Sequence, residues 1–185
     1  MKLLRKINIR DLEFEIYRTE PEDWERISEE IMKIEYSAFE EGARQSRDDI
    51  ESTFIDERSV NLVIVDNKQR IIGYTMGSPL EDYWFSIRYL ELCPELKGKT
   101  YYIESTALSP DHQGRGLAYI LRETLIIELK KEGYEFVSSH ATHPAILRIY
   151  EKLEKNGFLK DCKIVEKIEN WIGNRTGYFV ICKIN

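Results

Sequence analysis

Apolar and polar residues recur along the chain with two different periods, and together they predict an α/β (α+β) fold. Seven segments are apolar at alternate positions or throughout, which is typical of half-buried or buried strands. These segments are residues 14–18, 61–65, 71–76, 101–108, 134–138, 163–168 and 178–183. Four others are apolar at every third or fourth position, which predicts amphipathic helices. These begin near residue 20 and at residue 46, and span residues 116–131 and 144–156.

The predicted order of elements is β-α-α-β-β-β-α-β-α-β-β, which describes a mixed central sheet of about seven strands flanked by about four helices. Ser46 is placed to cap the second helix, because its hydroxyl can accept from the amides of the first turn. Residues 79–99 show neither period and are predicted to be irregular. No repeat or change in composition divides the 185 residues, so we expect a single domain over residues 1–185.

Composition narrows the classes of function. The chain is 42% hydrophobic and carries a net charge of −6, which disfavours a protein that binds duplex nucleic acid. No apolar run is long enough to span a membrane, and the charged N-terminal residues do not resemble a signal peptide. The three cysteines, Cys93, Cys162 and Cys182, are odd in number and far apart in sequence. We therefore expect a cytoplasmic protein with reduced thiols that binds neither nucleic acid nor membrane.

Residues 103–118 have the pattern of an anion site. A predicted strand leads into a turn containing Gly114 and Gly116, and an amphipathic helix follows at once. The first amides of a helix have no partner within the helix, and the helix dipole adds partial positive charge there. Glycines let a phosphate approach the backbone, and Arg115 adds a cation. A tight turn without a ligand would have the same pattern, so both interpretations stay open at this point.

Gln113-Gly114-Arg115-Gly116-Leu117-Ala118 matches the Q/R-x-x-G-x-G/A signature of the GNAT superfamily of acyl-CoA-dependent N-acetyltransferases. Residues 143–152 are similar to the N-x-x-A-I-x-x-Y-E-K helix of that family, and Gly157-Phe158 resembles the G-F that follows it. The predicted order of elements is also that of the family. The chain differs from the family pattern by having His143 in place of Asn and a longer interval between Tyr150 and Gly157.

The resemblance implies acetyl-CoA as co-substrate and no metal. It assigns cofactor contacts to the signature residues Gln113, Gly114, Arg115, Gly116, Leu117 and Ala118. The main chain of Ala107 and Leu108 would pair with the pantetheine arm as an added strand does. His143 is a further residue expected on the cofactor side. His140 and His143 have no neighbouring cysteine or paired carboxylate, so a zinc site is not expected.

The resemblance also assigns two proton-transfer roles for direct attack by an amine in a ternary complex. Glu104 would take the proton of the attacking amine, and Tyr150 would protonate the departing thiolate. A structural ion pair at Glu104 and a packed helix tyrosine at position 150 are the alternatives. No histidine lies near Cys93 in sequence, so direct transfer is favoured over an acyl-cysteine intermediate.

The acceptor is less well defined. In the family that the chain resembles, residues 35–47 and 79–99 would form the acceptor side, and here both are rich in aromatic residues and carboxylates. This composition suits a cationic amine, and a small amine, a lysine side chain and a peptide N-terminus all stay open. The oligomeric state is also open, a homodimer included. A non-catalytic module that binds acyl-CoA is the alternative function.

Overall fold

Eight strands and five α-helices make up the part of the chain that the computed structural model describes, residues 1–172 and 175–185. The strands are β1 Lys2–Ile9, β2 Leu12–Arg18, β3 Leu62–Asp66, β4 Ile71–Pro79, β5 Thr100–Leu108, β6 Phe136–Ala141, β7 Leu159–Ile172 and β8 Arg175–Ile184. The helices are α1 Trp24–Ala38, α2 Arg47–Ile55, α3 Ser86–Leu92, α4 Leu117–Lys131 and α5 Pro144–Lys155. Within the described residues, the helices are all too short or too polar to cross a membrane.

The chain forms two compact units, and β4, β5 and α4 contribute residues to both. The first unit comprises Met1–Gly77 and Ser105–Leu125, and the second comprises Ser78–Glu104 and Ile126–Asn185. In the first unit β1, β2, β3 and β4 form successive antiparallel pairs. In the second, β5 pairs with β6 in parallel, while β8 pairs antiparallel with both β6 and β7. The strand order is β1-β2-β3-β4-β5-β6-β8-β7.

The mixed α/β fold is confirmed, with eight strands instead of about seven. The additional strand, β1, forms a hairpin with β2 through Arg10 and Asp11, whose φ angles are +51° and +64°. Tight hairpin turns of this kind normally carry asparagine or glycine, so the sequence lacks the usual signal. Strand β1 is also partly exposed along its length, and its charged side chains hide the alternation expected of a strand.

The segment predicted to be irregular contains a fifth helix, α3. Ser86 and Tyr89 are its buried residues, while Ile87 and Leu92 point to solvent. Apolar residues therefore occupy both sides of this short helix, which removes the helical period from the sequence. By contrast, Ser46 caps α2 as predicted, because its Oγ accepts from the Asp49 amide at 3.1 Å.

Each unit has its own apolar core. In the first unit, α1 and α2 pack against the central strands through Trp24, Ile27, Ile31, Met32, Ile34, Ile50, Phe54, Val63, Tyr74, Met76 and Ala107. In the second, the segment containing α3 packs on β5 and β8 through Leu80, Tyr89, Leu96, Tyr102, Phe179 and Ile181. Ile27, Ile31 and Ile34, whose three- and four-residue spacing is the apolar period that predicted α1, are among these core residues.

The expectation of reduced thiols is wrong for two of the three cysteines, which lie on β7 and β8. Cys162 and Cys182 form a disulfide with a Cα–Cα distance of 4.1 Å, whereas Cys93 is free. Residues that are far apart in sequence become neighbours because the two strands pair along most of their length. Both strands extend beyond their predicted ends. Between the predicted strands, Gly173 and Asn174 lie outside the described residues, and residues 175–177 belong to β8.

Candidate active site

The turn between β5 and α4 depends on two glycines in left-handed backbone conformations. Gly114 has a φ of +72° and Gly116 a φ of +80°. A Cβ built on either glycine would meet no atom within 4 Å. Backbone conformation, and not crowding by the protein, therefore requires glycine here, and the space beside the turn is free for a ligand to approach the main chain.

Side chains of the turn hold it in place from within. The Gln113 Nε2 donates to the Leu108 carbonyl oxygen at 3.0 Å. Arg115 donates through Nη2 to the Asp111 carbonyl oxygen at 3.0 Å, and the rest of its side chain is exposed. These hydrogen bonds join the two ends of the turn to its middle and stabilise its shape.

Helix α4 begins directly after this turn. The Ile120 amide donates to the Gly116 carbonyl oxygen at 3.2 Å, so the amides of Leu117 and Ala118 precede the first helical hydrogen bond. The Leu117 side chain is fully buried, which leaves its main chain as the part that can face a ligand. The helix dipole adds partial positive charge at this end. Residues 113–118, which were predicted to contact the cofactor, thus lie together at the start of α4 within the first unit.

The two predicted strand residues, Ala107 and Leu108, are both buried at the end of β5. The Ala107 carbonyl oxygen faces β4, since a Cβ on Gly73 would come within 2.8 Å of it. On the same side, the Ser109 amide donates to the Ile72 carbonyl oxygen at 2.8 Å. Main-chain groups alternate between the two edges of a strand, so Leu108 presents its groups to the edge away from β4.

Glu104 lies on the part of β5 that belongs to the second unit, and its side chain is half-buried. Its Oε2 accepts from the Tyr83 hydroxyl at 2.9 Å. Burial and the neighbouring Glu104 carboxylate raise the pKa of Tyr83 far above its usual value. Tyr83 therefore stays protonated at neutral pH, and its hydrogen bond orients the Glu104 carboxylate.

Tyr150 lies on α5 with only 2% of its surface exposed. Its hydroxyl donates to the Ser139 Oγ on β6 at 2.8 Å. His143 precedes this helix and is exposed, and its Nδ1 accepts from the Ala145 amide at 3.1 Å. His143 therefore caps α5, a role that asparagine, the residue usual in the family motif, also performs well.

A further polar pair, Tyr102 and His140, was not identified from the sequence. The Tyr102 hydroxyl lies 2.9 Å from His140 Nδ1, and the His140 ring stacks on Trp171 with centroids 3.9 Å apart. Burial lowers the pKa of His140 to about 4, so its imidazole is neutral at pH 7. Tyr102 and Glu104 are two residues apart on β5 and share a face. That spacing is visible in the sequence, but the position of His140 depends on how β6 pairs with β5.

Comparison with known proteins gives a family match and several solved structures of similar fold. Residues 19–155 match the profile described as the Acetyltransferase (GNAT) family. No curated protein matches the chain. Among solved structures, the ribosomal-protein-S18-alanine N-acetyltransferase from Escherichia coli is 19% identical with a TM-score of 0.67, and the match covers 93% of this chain and 94% of that one.

Two other structures share the fold. Arabidopsis thaliana NAA60 in complex with acetyl-CoA is 16% identical with a TM-score of 0.66, covering 93% of this chain and 99% of that one. A GCN5-related N-acetyltransferase from Kribbella flavida is 13% identical with a TM-score of 0.62, covering 91% and 96%. The matched family region spans well over half of the chain and includes both the glycine turn and Tyr150. This protein therefore belongs to the GNAT family of acetyltransferases.

Proposed function

We propose that this protein is an N-acetyltransferase that moves the acetyl group of acetyl-CoA to a primary amine by direct attack in a ternary complex. The observation that carries the proposal is the turn at Gly114 and Gly116, where two left-handed glycines leave open space at the start of α4. An oxyanion such as a pyrophosphate suits this arrangement of amides and helix dipole. Membership of the family, and the acetyl-CoA present in the NAA60 structure, support the identity of the ligand.

The residues present fit this co-substrate. Main-chain amides of residues 114–118 would hold the pyrophosphate, with Arg115 as an exposed cation beside them. Gln113 would act on the cofactor indirectly, by holding the turn in shape, because its Nε2 donates to the Leu108 carbonyl oxygen. Pairing with the pantetheine arm rests on the Leu108 main chain, since the Ala107 carbonyl oxygen faces β4. His143 is proposed for the cofactor side through its imidazole Nε2, since Nδ1 caps α5.

Acetyl-CoA supplies an acetyl group activated as a thioester when it is bound. Glu104 accepts the proton of the amine, directly or through one water, and Tyr83 keeps its carboxylate in a fixed orientation. The Tyr150 hydroxyl donates a proton to the leaving sulfur. Ser139 holds the Tyr150 oxygen by a hydroxyl that can donate as well as accept, so the phenol can release its proton without losing this partner.

His140 is the second candidate for the base, because its neutral imidazole pairs with Tyr102, which shares a face of β5 with Glu104. Burial, which lowers the pKa of His140 to about 4, makes the ring reluctant to hold a proton at neutral pH. Glu104 is the base that we propose, with His140 and Tyr102 shaping its surroundings. The acceptor is a small cationic amine, a lysine side chain or a peptide N-terminus.

A panel of primary amines with acetyl-CoA, followed by release of free thiol, tests the proposal. We expect steady turnover with at least one class of amine, and initial-rate lines that intersect when both substrates are varied. Parallel lines would indicate an acyl-enzyme and contradict direct attack. Stabilisation by acetyl-CoA without turnover of any amine would instead favour a module that only binds the acyl-CoA.

A further inference from the structure

Helix α3 and the turn that precedes it present apolar side chains to solvent. Trp84, Ile87 and Leu92 are 82%, 62% and 74% exposed, whereas Ser86 and Tyr89 on the other side are buried. Ile87 and Leu92 belong to α3, and Trp84 lies two positions before its first residue. We call this surface the α3 face. Isolated exposed apolar residues are common, but three large ones grouped within nine positions are typical of a binding surface.

Tyr83 joins the α3 face to Glu104. Trp84 directly follows Tyr83, whose hydroxyl donates to Glu104 Oε2 at 2.9 Å. The Phe85 ring contacts both neighbouring aromatic rings. Its centroid is 5.5 Å from that of Tyr83 and 5.9 Å from that of Trp84. A molecule that covers Trp84, Ile87 and also reaches Glu104 must be several residues long. A polypeptide meets this requirement and a small amine does not.

Two of the three basic side chains in residues 79–99 form ion pairs within the protein. Arg88 forms an ion pair with Glu166, and Lys99 pairs with Glu135 at 2.8 Å. Lys97 is the remaining cation of this segment, and it is exposed. The basic side chain nearest the centre of the α3 face is therefore already neutralised by a carboxylate of β7.

Three of the four acids of the same segment are exposed, the exception being Glu81, which accepts from the Gly98 amide. Asp82, Glu91 and Glu95 are all exposed, and Glu91 lies on the same side of α3 as Ile87. An apolar surface edged by carboxylates is complementary to a chain that carries both apolar and basic residues. A second copy of this protein, with its net charge of −6, would bring acid against acid. An anionic lipid surface is disfavoured for the same reason.

We propose that the α3 face docks a polypeptide that carries apolar and basic residues and supplies the acceptor amine. The inference rests on the proposed function and makes it more specific, since it selects a polypeptide acceptor over a free small amine. Trp84 and Ile87 provide the apolar contacts, and the exposed carboxylates select basic residues. Tyr83 links this surface to the carboxylate that takes the amine proton.

Binding can be measured apart from catalysis. A peptide of about ten residues, alternating leucine and lysine after a free N-terminal alanine, carries a fluorescein at its C-terminus, and its anisotropy is followed as the full chain is added. The test variant is Trp84→Ser/Ile87→Ser. The control is Leu3→Ser/Leu12→Ser, which removes two apolar side chains, 43% and 38% exposed, from the β1–β2 hairpin. A second peptide has glutamate in place of every lysine.

We expect the test variant to weaken binding of the lysine peptide at least about tenfold, as loss of a central apolar anchor does. The control variant should bind it with unchanged affinity, and the glutamate peptide should bind the unmodified protein at least about tenfold more weakly. Equal binding by the test variant, or equal affinity for both peptides, would overturn the proposal. So would self-association, or binding to phosphatidylcholine vesicles, that the test variant abolishes.

The two proposals fail in different ways. A protein that acetylates alanine amide but does not bind the lysine peptide keeps the proposed function and loses the α3 face as a docking site. A protein that binds the peptide through Trp84 and Ile87 but acetylates no amine keeps the docking site and loses the proposed function. If both hold, the test variant should raise KM for the lysine peptide at least about fivefold with kcat little changed.

Discussion

The buried Tyr150 hydroxyl, bonded to Ser139 Oγ at 2.8 Å, is the group proposed to protonate the leaving sulfur. Tyr150→Phe keeps the ring and removes the proton. We expect it to lower kcat by roughly ten- to ten-thousand-fold and to leave the affinity for acetyl-CoA nearly unchanged. Steady-state kinetics and acetyl-CoA binding measured on the same preparation check both parts.

Ser139→Ala is the matched control, because it removes the hydrogen-bond partner and keeps the phenol. Its loss of kcat should be smaller, about tenfold or less, in line with one neutral hydrogen bond. Full turnover by Tyr150→Phe would transfer the proton-donating role to another residue or to water.

Substitutions at Glu104 and Tyr83 should distinguish the residue that takes the amine proton from the residue that orients it. Glu104→Gln removes the base, so its loss of kcat should be large at neutral pH and shrink at high pH, where the amine deprotonates unaided. Tyr83→Phe keeps the carboxylate and removes the hydrogen bond of 2.9 Å that orients it, so its smaller loss should vary little with pH. The pH profile of kcat for the two variants is the measurement. A constant loss in Glu104→Gln across the pH range would exclude it as the base.

His140 should couple stability to pH in the acidic range. Burial lowers its pKa from 6.5 to about 4, so as the pH falls the unfolded chain binds the proton first. The contribution of neutral His140 to stability is complete above pH 6.5 and declines as the pH falls to 4. At about 1.4 kcal/mol per pKa unit, the decline amounts to about 3 kcal/mol.

Urea unfolding at several pH values, with His140→Gln as reference, checks this coupling. The native chain should lose about 3 kcal/mol more free energy of unfolding than the variant between pH 6.5 and 4. Parallel pH dependences would show that His140 can take up a proton in the folded state without cost.

At the scale of elements, the turn before α4 and the turn after it allow a matched comparison. Gly116 and Gly133 have φ angles of +80° and +89°, and a Cβ at either meets no atom within 4 Å. Replacing each with alanine should cost a similar free energy of unfolding, about 1–2 kcal/mol, from the left-handed backbone alone. Only Gly116→Ala should also reduce the rise in Tm caused by acetyl-CoA, because its Cβ occupies the space proposed for the pyrophosphate.

Thermal unfolding of both variants, with and without acetyl-CoA, gives the result. Gly133→Ala should keep the full ligand-induced shift although its starting Tm is lower. An undiminished shift in Gly116→Ala would remove the anion-binding role of the turn.

The sequence predicted elements whose signals are local. The isoleucines of α1 and the Ser46 cap of α2 depend on neighbours within one or two turns, and both were confirmed. Strand β1 depends on a hairpin turn that uses Arg10 and Asp11 in a conformation unusual for them. Helix α3 carries apolar residues on both sides, because one side is core and the other is exposed. Strand β1 and helix α3 therefore leave no periodic signal in the sequence.

The same distinction applies to the candidate site. The turn from Gln113 to Ala118 and the α5 tyrosine lie on continuous motifs, so their local structure could be predicted. The bond from Tyr83 to Glu104 spans 21 positions and that from Tyr102 to His140 spans 38. Both depend on packing of the aromatic residues and on the pairing of β5 with β6, which no pattern along the sequence specifies. The disulfide of β7 and β8 was missed for the same reason.

At the scale of the whole molecule, family membership makes the chain an acetyltransferase, and the proposal adds the nitrogen of a primary amine as the acceptor. The most direct test measures CoA release and acetylated amine in the same reaction, by thiol titration and mass spectrometry, with the unmodified protein and the amine that gives the fastest release. The account predicts one N-acetylated amine for each CoA released, over many turnovers per protein molecule. CoA release without an acetylated amine, or an acetyl group found on oxygen, would contradict it.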